Sequence, residues 1–349
     1  MSNQALPQRS RQLLDYHADK CQNLGLMLDK YAPWQSTRRG QWDLVIKETV
    51  RRRGQDNIQE LSGGQAKGLW LSTRREAKRS ESPSLFEVPR TDTKLMVAKQ
   101  ARWRKLVQDG DGHAFSMRLV ERLIAGLGAS HVLETGFTLD RNTGLPYLPG
   151  STVKGLARAW GLIEVAAQLN LSVNDLNPLA KLLIENELTQ VIHELERKGI
   201  PVSDDARPYI GWFQLIFGSQ KQGGAVAFLD AIYYGYGSKQ DAPPRYVTDV
   251  MTPHYVDYYT QNGGAAPSDS DDPNPVSFLT VDSGNVFAFG VLPRAGAFVN
   301  MQAEDVEIAM GTAVDWLQRG LSRLGAGSKT AAGYGFFSRK SVNESILTD

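Results

Sequence analysis

Apolar side chains at Val306, Met310, Ala313, Leu317, Leu321 and Leu324 recur at three- and four-residue spacing through AEDVEIAMGTAVDWLQRGLSRL, residues 303–324. That spacing lines one stripe of an amphipathic helix. Gly325 follows directly, where a helix accepts a left-handed closing residue. A second helix is predicted through VKGLARAWGLIEVAAQL, residues 153–169. Before it, Pro146 and Pro149 fix an extended approach and Gly150 permits a tight turn, so Ser151 or Thr152 is placed to cap the helix. Further helices are expected over 8–31, ending at Ala32-Pro33, over 101–125, marked by Trp103, Leu106, Phe115, Leu119 and Leu123, and over 172–199, closed by Gly199 and Pro201.

Strands are expected at Ala225–Tyr234 and Pro275–Leu292, where apolar and β-branched residues dominate. Others are expected near Val132–Leu139 and at Tyr334–Ser338, while WDLVIKETV (42–50) fits a strand or a helix. Residues 54–100, with SGGQAKG and RREAKRSESPS, read as a long polar insertion, partly mobile or ordered by a partner. NGGAAPSDSDDPNP (262–275) reads as a solvent loop. The resulting order, strand–helix–strand twice over, predicts an α+β fold of the ferredoxin-like or RRM type, with large insertions and an N-terminal helical extension. The expected division is a basic helical extension and insertion over 1–118 and the core, with inserted helices and a loop, over 119–349.

Charge sharpens that division. The net charge of +1 hides 22 Lys/Arg against 13 Asp/Glu in residues 1–118 and 17 against 25 in residues 119–349. A +9 region followed by a −8 region fits a basic face for nucleic acid and an acidic face for a protein neighbour. Arg51–Arg53, Arg74–Arg79 and Arg102–Lys105 are the local basic clusters, although any one of them alone is an ordinary solvated surface. The single Cys21 excludes an internal disulfide and a cysteine metal cluster. No apolar run reaches the ~18 residues of a membrane span, and MSNQALPQRSRQLL is not a hydrophobic signal segment, so a cytoplasmic protein is expected.

Two glycine-punctuated segments carry the candidate chemistry. In LPYLPGSTVKGLAR (145–158), the first-turn amides of the helix lack intrahelical partners and suit an anion. Lys154 and Arg158 share a face four residues apart, Ser151 sits at the helix start, and Gly155 admits another backbone or a nucleic-acid strand. In GAGSKTAAGYGFF (325–337), Gly325 closes the helix, and Gly327, Gly333 and Gly335 line a loop carrying Ser328, Lys329 and Thr330. Neither segment is a P-loop or a dinucleotide fingerprint, because GxxxxGK[ST] is absent and the second runs helix, loop, strand. A capped helix start with surface charges and a tight glycine connection would give the same local patterns.

Taken together, the segments resemble a known family. LPYLPGSTVKGLAR looks like the "PyiPGSslKGalR" signature of the RAMP proteins of type III CRISPR effectors, and GAGSKTAAGYGFF looks like their C-terminal glycine-rich loop. VMTPHYVDYY (Val250–Tyr259) with NPVSFLTV, NLGLMLDKYAPW, GLGASHVLETGFTLD and FGSQKQGGAVAFLDA are similar to the sixth-subunit family of the type III-B (Cmr) effectors. The likeness runs from about residue 23 to 338. It implies a RAMP fold in a structural, RNA-binding subunit that caps the end of the backbone filament near the 3′ part of the guide. It also implies guide CRISPR RNA, target single-stranded RNA and other RAMP subunits (backbone, small helical and end-capping) as partners. The RNA contacts it implies are Ser151, Lys154, Gly155, Arg158, Gly325, Gly327, Ser328, Lys329, Thr330 and Gly333. A thumb hairpin would fall in 54–100 or 238–275, and Tyr255, Tyr258 and Tyr259 are candidates to stack bases.

Catalytic signatures are sparse. His17, His113, His131, His193 and His254 form no HxH or HExxH pattern, so no metal or cofactor is expected. Asp271-Asp272 lie in the loop-like stretch rather than beside a strand, unlike a GGDD-type site. A non-catalytic subunit is therefore the expectation. The alternative is a metal-independent guide-processing endoribonuclease using His131, just ahead of the signature helix.

Overall fold

A computed structural model describes residues 22–30, 34–36, 42–52, 55–62, 85–86, 91–128, 136–252, 276–298, 301–338 and 346. In chain order the named elements are α1 (Leu24–Lys30), β1 (Trp34–Ser36), β2 (Trp42–Arg52), β3 (Gln55–Ser62), β4 (Leu85–Phe86), α2 (Thr93–Asp109), β5 (His113–Arg118), β6 (Tyr147–Leu148), α3 (Gly150–Gln168), α4 (Leu176–Glu185), α5 (Leu188–Arg197), α6 (Arg207–Phe217), β7 (Val226–Phe228), β8 (Ala231–Tyr236), β9 (Tyr246–Met251), β10 (Val276–Val281), β11 (Asn285–Pro293) and α7 (Ala303–Arg323). Short 3-10 turns stand at Val173–Asp175 and Thr330–Ala332. The chain forms two compact units, each drawn from separate stretches.

The first unit comprises Met1–Asp92, Gly126–Leu145 and Pro243–Asp282. Its β1, β2 and β3 form one antiparallel sheet, so WDLVIKETV is a strand, with Thr49 opposite Ile58. A second sheet has the order β10-β9-β4. Helix α1 is capped by Asn23, whose Oδ1 accepts the Leu26 N–H at 2.9 Å and whose Nδ2 donates to the Arg141 and Asn142 carbonyls. Its buried residues are Leu24, Met27 and Leu28.

The second unit comprises Thr93–Ala125, Pro146–Ala242 and Ser283–Asp349. Its sheet has the order β5-β11-β8-β6, with β7 pairing the far end of β11. An antiparallel bridge from Phe337 to Leu119 adds the last chain segment beyond β5. The order of halves is thus β5–α3–β8 and β11–α7–Phe337, which is the connectivity of a ferredoxin-like unit.

Side chains along β11 alternate between two faces. On one, Phe289 stacks on Phe115 at 5.4 Å, and Phe337 meets the edges of Phe287 and Phe289. Helices α3 and α7 lie on this side and pack antiparallel. A Cβ at Gly161 would lie 2.5 Å from Trp316 Cε3, and one at Gly320 would lie 3.0 Å from the Leu156 carbonyl oxygen. On the other face, Val286 and Ala288 join Ala114, Ile232, Tyr234, Trp103 and Val107 in a buried cluster. Helix α2 therefore covers the face that RRM-type proteins usually offer to RNA. Trp103 packs against Gly290, where a Cβ would lie 2.8 Å from its ring, and its Nε1 donates to the Asp230 carbonyl.

Several expectations need correction. The helix expected over 101–125 ends at Asp109. The Asp-Gly-Asp-Gly run turns the chain, with Asp111 at φ +50° and the Gly112 N–H bonded to the Val107 carbonyl, and β5 begins at His113. The helix expected over 172–199 is a 3-10 turn followed by α4 and α5. The break lies at Asn186-Glu187, where Glu187 and Gln190 form a capping box for α5. The strand expected at 225–234 divides at Leu229-Asp230, and that at 275–292 divides at Asp282–Gly284. The strand expected at 334–338 is reduced to the Phe337 bridge and its flanking bonds, because Gly335 at φ +79° breaks the extended run. Helix α6 and strand β9 stand outside the expected elements. The 54–100 insertion contains β3, β4 and the start of α2. Of 132–139, only 136–139 is described, and it forms no named strand. No described helix is long and apolar enough to cross a membrane.

Candidate nucleic-acid interface

The start of α3 is built differently from a side-chain cap. Pro149 is the N-cap, at φ −56° and ψ 142°, and neither Ser151 nor Thr152 makes a capping hydrogen bond. Instead the Gly150 N–H donates to Asp230 Oδ1 at 2.6 Å, from the β7–β8 turn. A carboxylate of the chain thus takes one of the helix's exposed amides and suits the positive end of its dipole. Glycine is required at 150, because a Cβ there would lie 2.5 Å from the Phe228 carbonyl oxygen. Ser151 and Gly155 are exposed, and a Cβ at Gly155 would meet nothing within 4 Å.

Lys154 and Arg158 are both half-buried. Burial pushes the Lys154 ammonium below the ordinary lysine range, and the charges of Arg294 and Arg158 push it further down. Lys154 and Arg158 are four residues apart on α3, and Arg294, directly after β11, stands near enough for its charge to act on Lys154. The Arg158 guanidinium stands over the Phe213 ring, 5.6 Å from its centroid. Its Nη2 is shielded from solvent and makes no hydrogen bond among the described residues. Arg294 Nη1 donates to the Gly224 carbonyl at 2.9 Å.

The glycine loop leaves α7 through Gly325, at φ +76°. Antiparallel packing of α3 and α7 puts this loop at the same end of the pair as the start of α3. Much of its backbone is engaged within the chain. The Gly325 N–H donates to the Gly320 carbonyl, that of Ser328 to Ile124, that of Gly333 to Thr330 and that of Gly335 to Arg122. A Cβ at Gly327 would lie 2.2 Å from the Ile124 carbonyl oxygen. These glycines hold the loop against residues 122–124. Lys329, itself at φ +59°, is exposed, and Ser328 and Thr330 are half-buried.

Other candidates lie elsewhere. His131, His254, Tyr255, Tyr258, Tyr259, Asp271 and Asp272 fall outside the described residues. No group of three His, Cys, Asp or Glu side chains among the described residues could hold a metal ion. Pattern reading missed Arg294, Asp230 and Phe213. Each is brought in by topology, through the end of β11, the β7–β8 turn and α6, and no local motif marks it.

A model of the RAMP superfamily matches residues 110–338. The chain belongs to the RAMP superfamily. The α+β fold of this RAMP protein carries insertions beyond the ferredoxin-like sheet, as expected. It is 31% identical over 231 residues to the CRISPR system Cmr subunit Cmr6 of Pyrococcus furiosus, covering 61% of this chain and 64% of that protein. Among solved structures it is similar to the crystal structure of Cmr6 from Pyrococcus furiosus, with a TM-score of 0.42 and 27% identity over 65% of this chain and 96% of the other. It is also similar to a chain of the type III-B Cmr-beta complex bound to cognate target RNA, solved by cryo-EM. There the TM-score is 0.45 and the identity 19%, over 72% of this chain and 68% of the other.

Proposed function

We propose that this RAMP protein is a non-catalytic structural subunit of a type III-B CRISPR effector. It binds the 3′ region of the guide RNA and caps the backbone filament in antiviral defence. Its partners are the guide RNA, the target single-stranded RNA and the other RAMP subunits. The observation that carries this reading is the Lys154–Arg158 pair on the signature helix of a chain similar to Cmr6, with its charges held half-buried rather than neutralised. Cations placed in this way favour a polyanion. The glycine loop contributes Lys329, Ser328 and Thr330 at the same end of the helix pair, and Ser151 and Gly155 leave the helix surface open to a close-lying strand.

Each phosphate contact releases counterions, so binding to single-stranded RNA weakens with salt by a slope of about −0.7 per contact. Lys154→Ala and Arg158→Ala are each expected to weaken guide RNA binding by about tenfold and to flatten that slope. Fluorescence anisotropy against salt measures both. Unchanged affinity, slope and co-assembly in both variants would sink the assignment. Metal-independent cutting of repeat RNA by the native chain, abolished in His131→Ala, would replace it with the nuclease reading.

A further inference from the structure

Helix α2 rests on the sheet through Met96, Gln100, Trp103 and Val107. Beside that buried stripe runs a second one. Leu95, Ala98, Arg102 and Leu106 follow one another at spacings of three and four, which sets them on one flank of the helix, and all four are exposed. Leu106 is 51% exposed and Leu95 43%, so each end of the flank presents a large apolar side chain to solvent. Between the two leucines the flank spans about 16 Å, or three turns. Helical spacing sets Lys99 and Lys105 along its two borders. The charge of α2 is one-sided as well, with Lys94, Lys99, Arg102, Arg104 and Lys105 against Asp109. Lys105 reaches Asp109 at 2.9 Å, but with the two side chains 73% and 61% exposed this is a surface pair of little weight.

We propose that this flank of α2 docks an acidic amphipathic helix of another protein. Leu95 and Leu106 pack against the partner's apolar stripe, Ala98 lets the two helices approach closely, and Arg102 and Lys105 meet its Glu or Asp side chains. The spacing fits a helix, because ridges at three- and four-residue intervals interlock with those of a neighbouring helix. The charge fixes the partner's sign, since cations along an apolar seam select carboxylates on the opposite side and repel a basic helix. The leucines argue against nucleic acid: the cations alone would hold phosphates, and a polyanion gains nothing by covering Leu95 and Leu106. A second copy of the chain offers acidic residues beside an apolar one at Glu304, Glu307 and Ile308 on α7. It fits poorly, because Ile308 is the one exposed large apolar side chain of α7 and Glu307 already pairs with His113. Helix α2 lies on the opposite side of the sheet from α3 and α7, so its partner is independent of the RNA reading above.

Two measurements on the full chain test this. In the first, the chain is purified from its native cells with the proteins it assembles with, and a carbodiimide couples lysines to carboxylates in direct contact. Mass spectrometry is expected to find Lys99 or Lys105 joined to Glu or Asp residues spaced three or four apart in another protein. Leu106→Glu is expected to remove those links and release that protein while RNA binding keeps its native affinity and salt slope. The second uses defined probes: a helical peptide of about 20 residues, with leucines at three- and four-residue spacing flanked by glutamates, and a twin with lysines in their place. By fluorescence anisotropy the native chain is expected to prefer the glutamate peptide. Arg102→Glu is expected to weaken that binding by about tenfold and to strengthen binding of the lysine twin, a reversal that only a folded variant gives. Absence of any link from α2 to another chain overturns the proposal, as do equal binding of the two peptides and native binding in both variants. Links that lead only to further copies of this chain also overturn it and assign the flank to self-association. A weakened affinity or flattened salt slope for RNA in Leu106→Glu overturns it and assigns the flank to nucleic acid.

Discussion

Burial lowers the hold of the Lys154 ammonium on its proton, and the nearby charges of Arg294 and Arg158 lower it further. The folded chain therefore releases this proton at a lower pH than the unfolded chain. Between the depressed folded value and the ordinary 10.5, the unfolded state binds more protons, so stability rises with pH across that window. Below the window the full penalty of a charged, half-buried lysine remains. Lys154→Met is expected to abolish this alkaline rise, and thermal unfolding from neutral pH to 10.5 checks it. A parallel pH profile in the variant would show that Lys154 is solvated. The Lys154–Arg158 pair was legible in the sequence because helical spacing alone brings the two residues together. Arg294 was not, since its place is set by the pairing of Pro293 with Val226 across the sheet. The expected Ser151 or Thr152 cap failed for a related reason: the partner of the helix start, Asp230, comes from another element.

Helices α3 and α7 show how strongly a glycine's meaning depends on what faces it. Replacing glycine by alanine inside a helix ordinarily stabilises by about 1 kcal/mol. At Gly155 nothing opposes that gain, so Gly155→Ala is expected to raise stability by about this much. At Gly161 the new methyl would meet the Trp316 ring, and overpacking costs about 1–3 kcal/mol. Gly161→Ala is therefore expected to destabilise, and urea unfolding of the two variants side by side gives the contrast. Equal shifts would mean that α7 yields to α3 at no cost. If Gly155→Ala stabilises the chain yet weakens RNA binding, a strand lies close against that turn. The α7 stripe and its Gly325 stop were legible because periodicity and a left-handed closing residue are local signals. The break between α4 and α5 was not, because its capping box uses Glu187 and Gln190 rather than a hydroxyl residue. The Asp-Gly-Asp-Gly turn before β5 was a readable signal, overridden by the apolar marks on either side of it.

Across the whole molecule, the central sheet of the second unit is closed on both faces, by α3 and α7 on one and by α2 on the other. The change of charge balance at residue 118 falls at the end of β5, inside this unit. From the signature helix onward the broad order of core elements was readable from pattern, whereas the first core strand, β5, lay inside an expected helix. The cover by α2 was not readable, because it depends on Trp103 finding Gly290, a contact that only the finished sheet creates. That cover has a consequence for synthesis. Strand β5 and helix α2 leave the ribosome early, yet their partner β11 begins at Asn285. Until then the apolar side of α2 has only β5 and the β6–β8 pair beneath it, without the central strand that joins them, and non-local pairing of this kind closes slowly. A nascent chain arrested at residue 284 is expected to be cut readily by protease within 93–118, and one extended past 338 to resist; equal resistance would mean that α2 and β5 are protected before β11 exists. The order of translation thus makes the last strands the gate for the first, and until they emerge the growing chain exposes apolar surface that a chaperone would recognise.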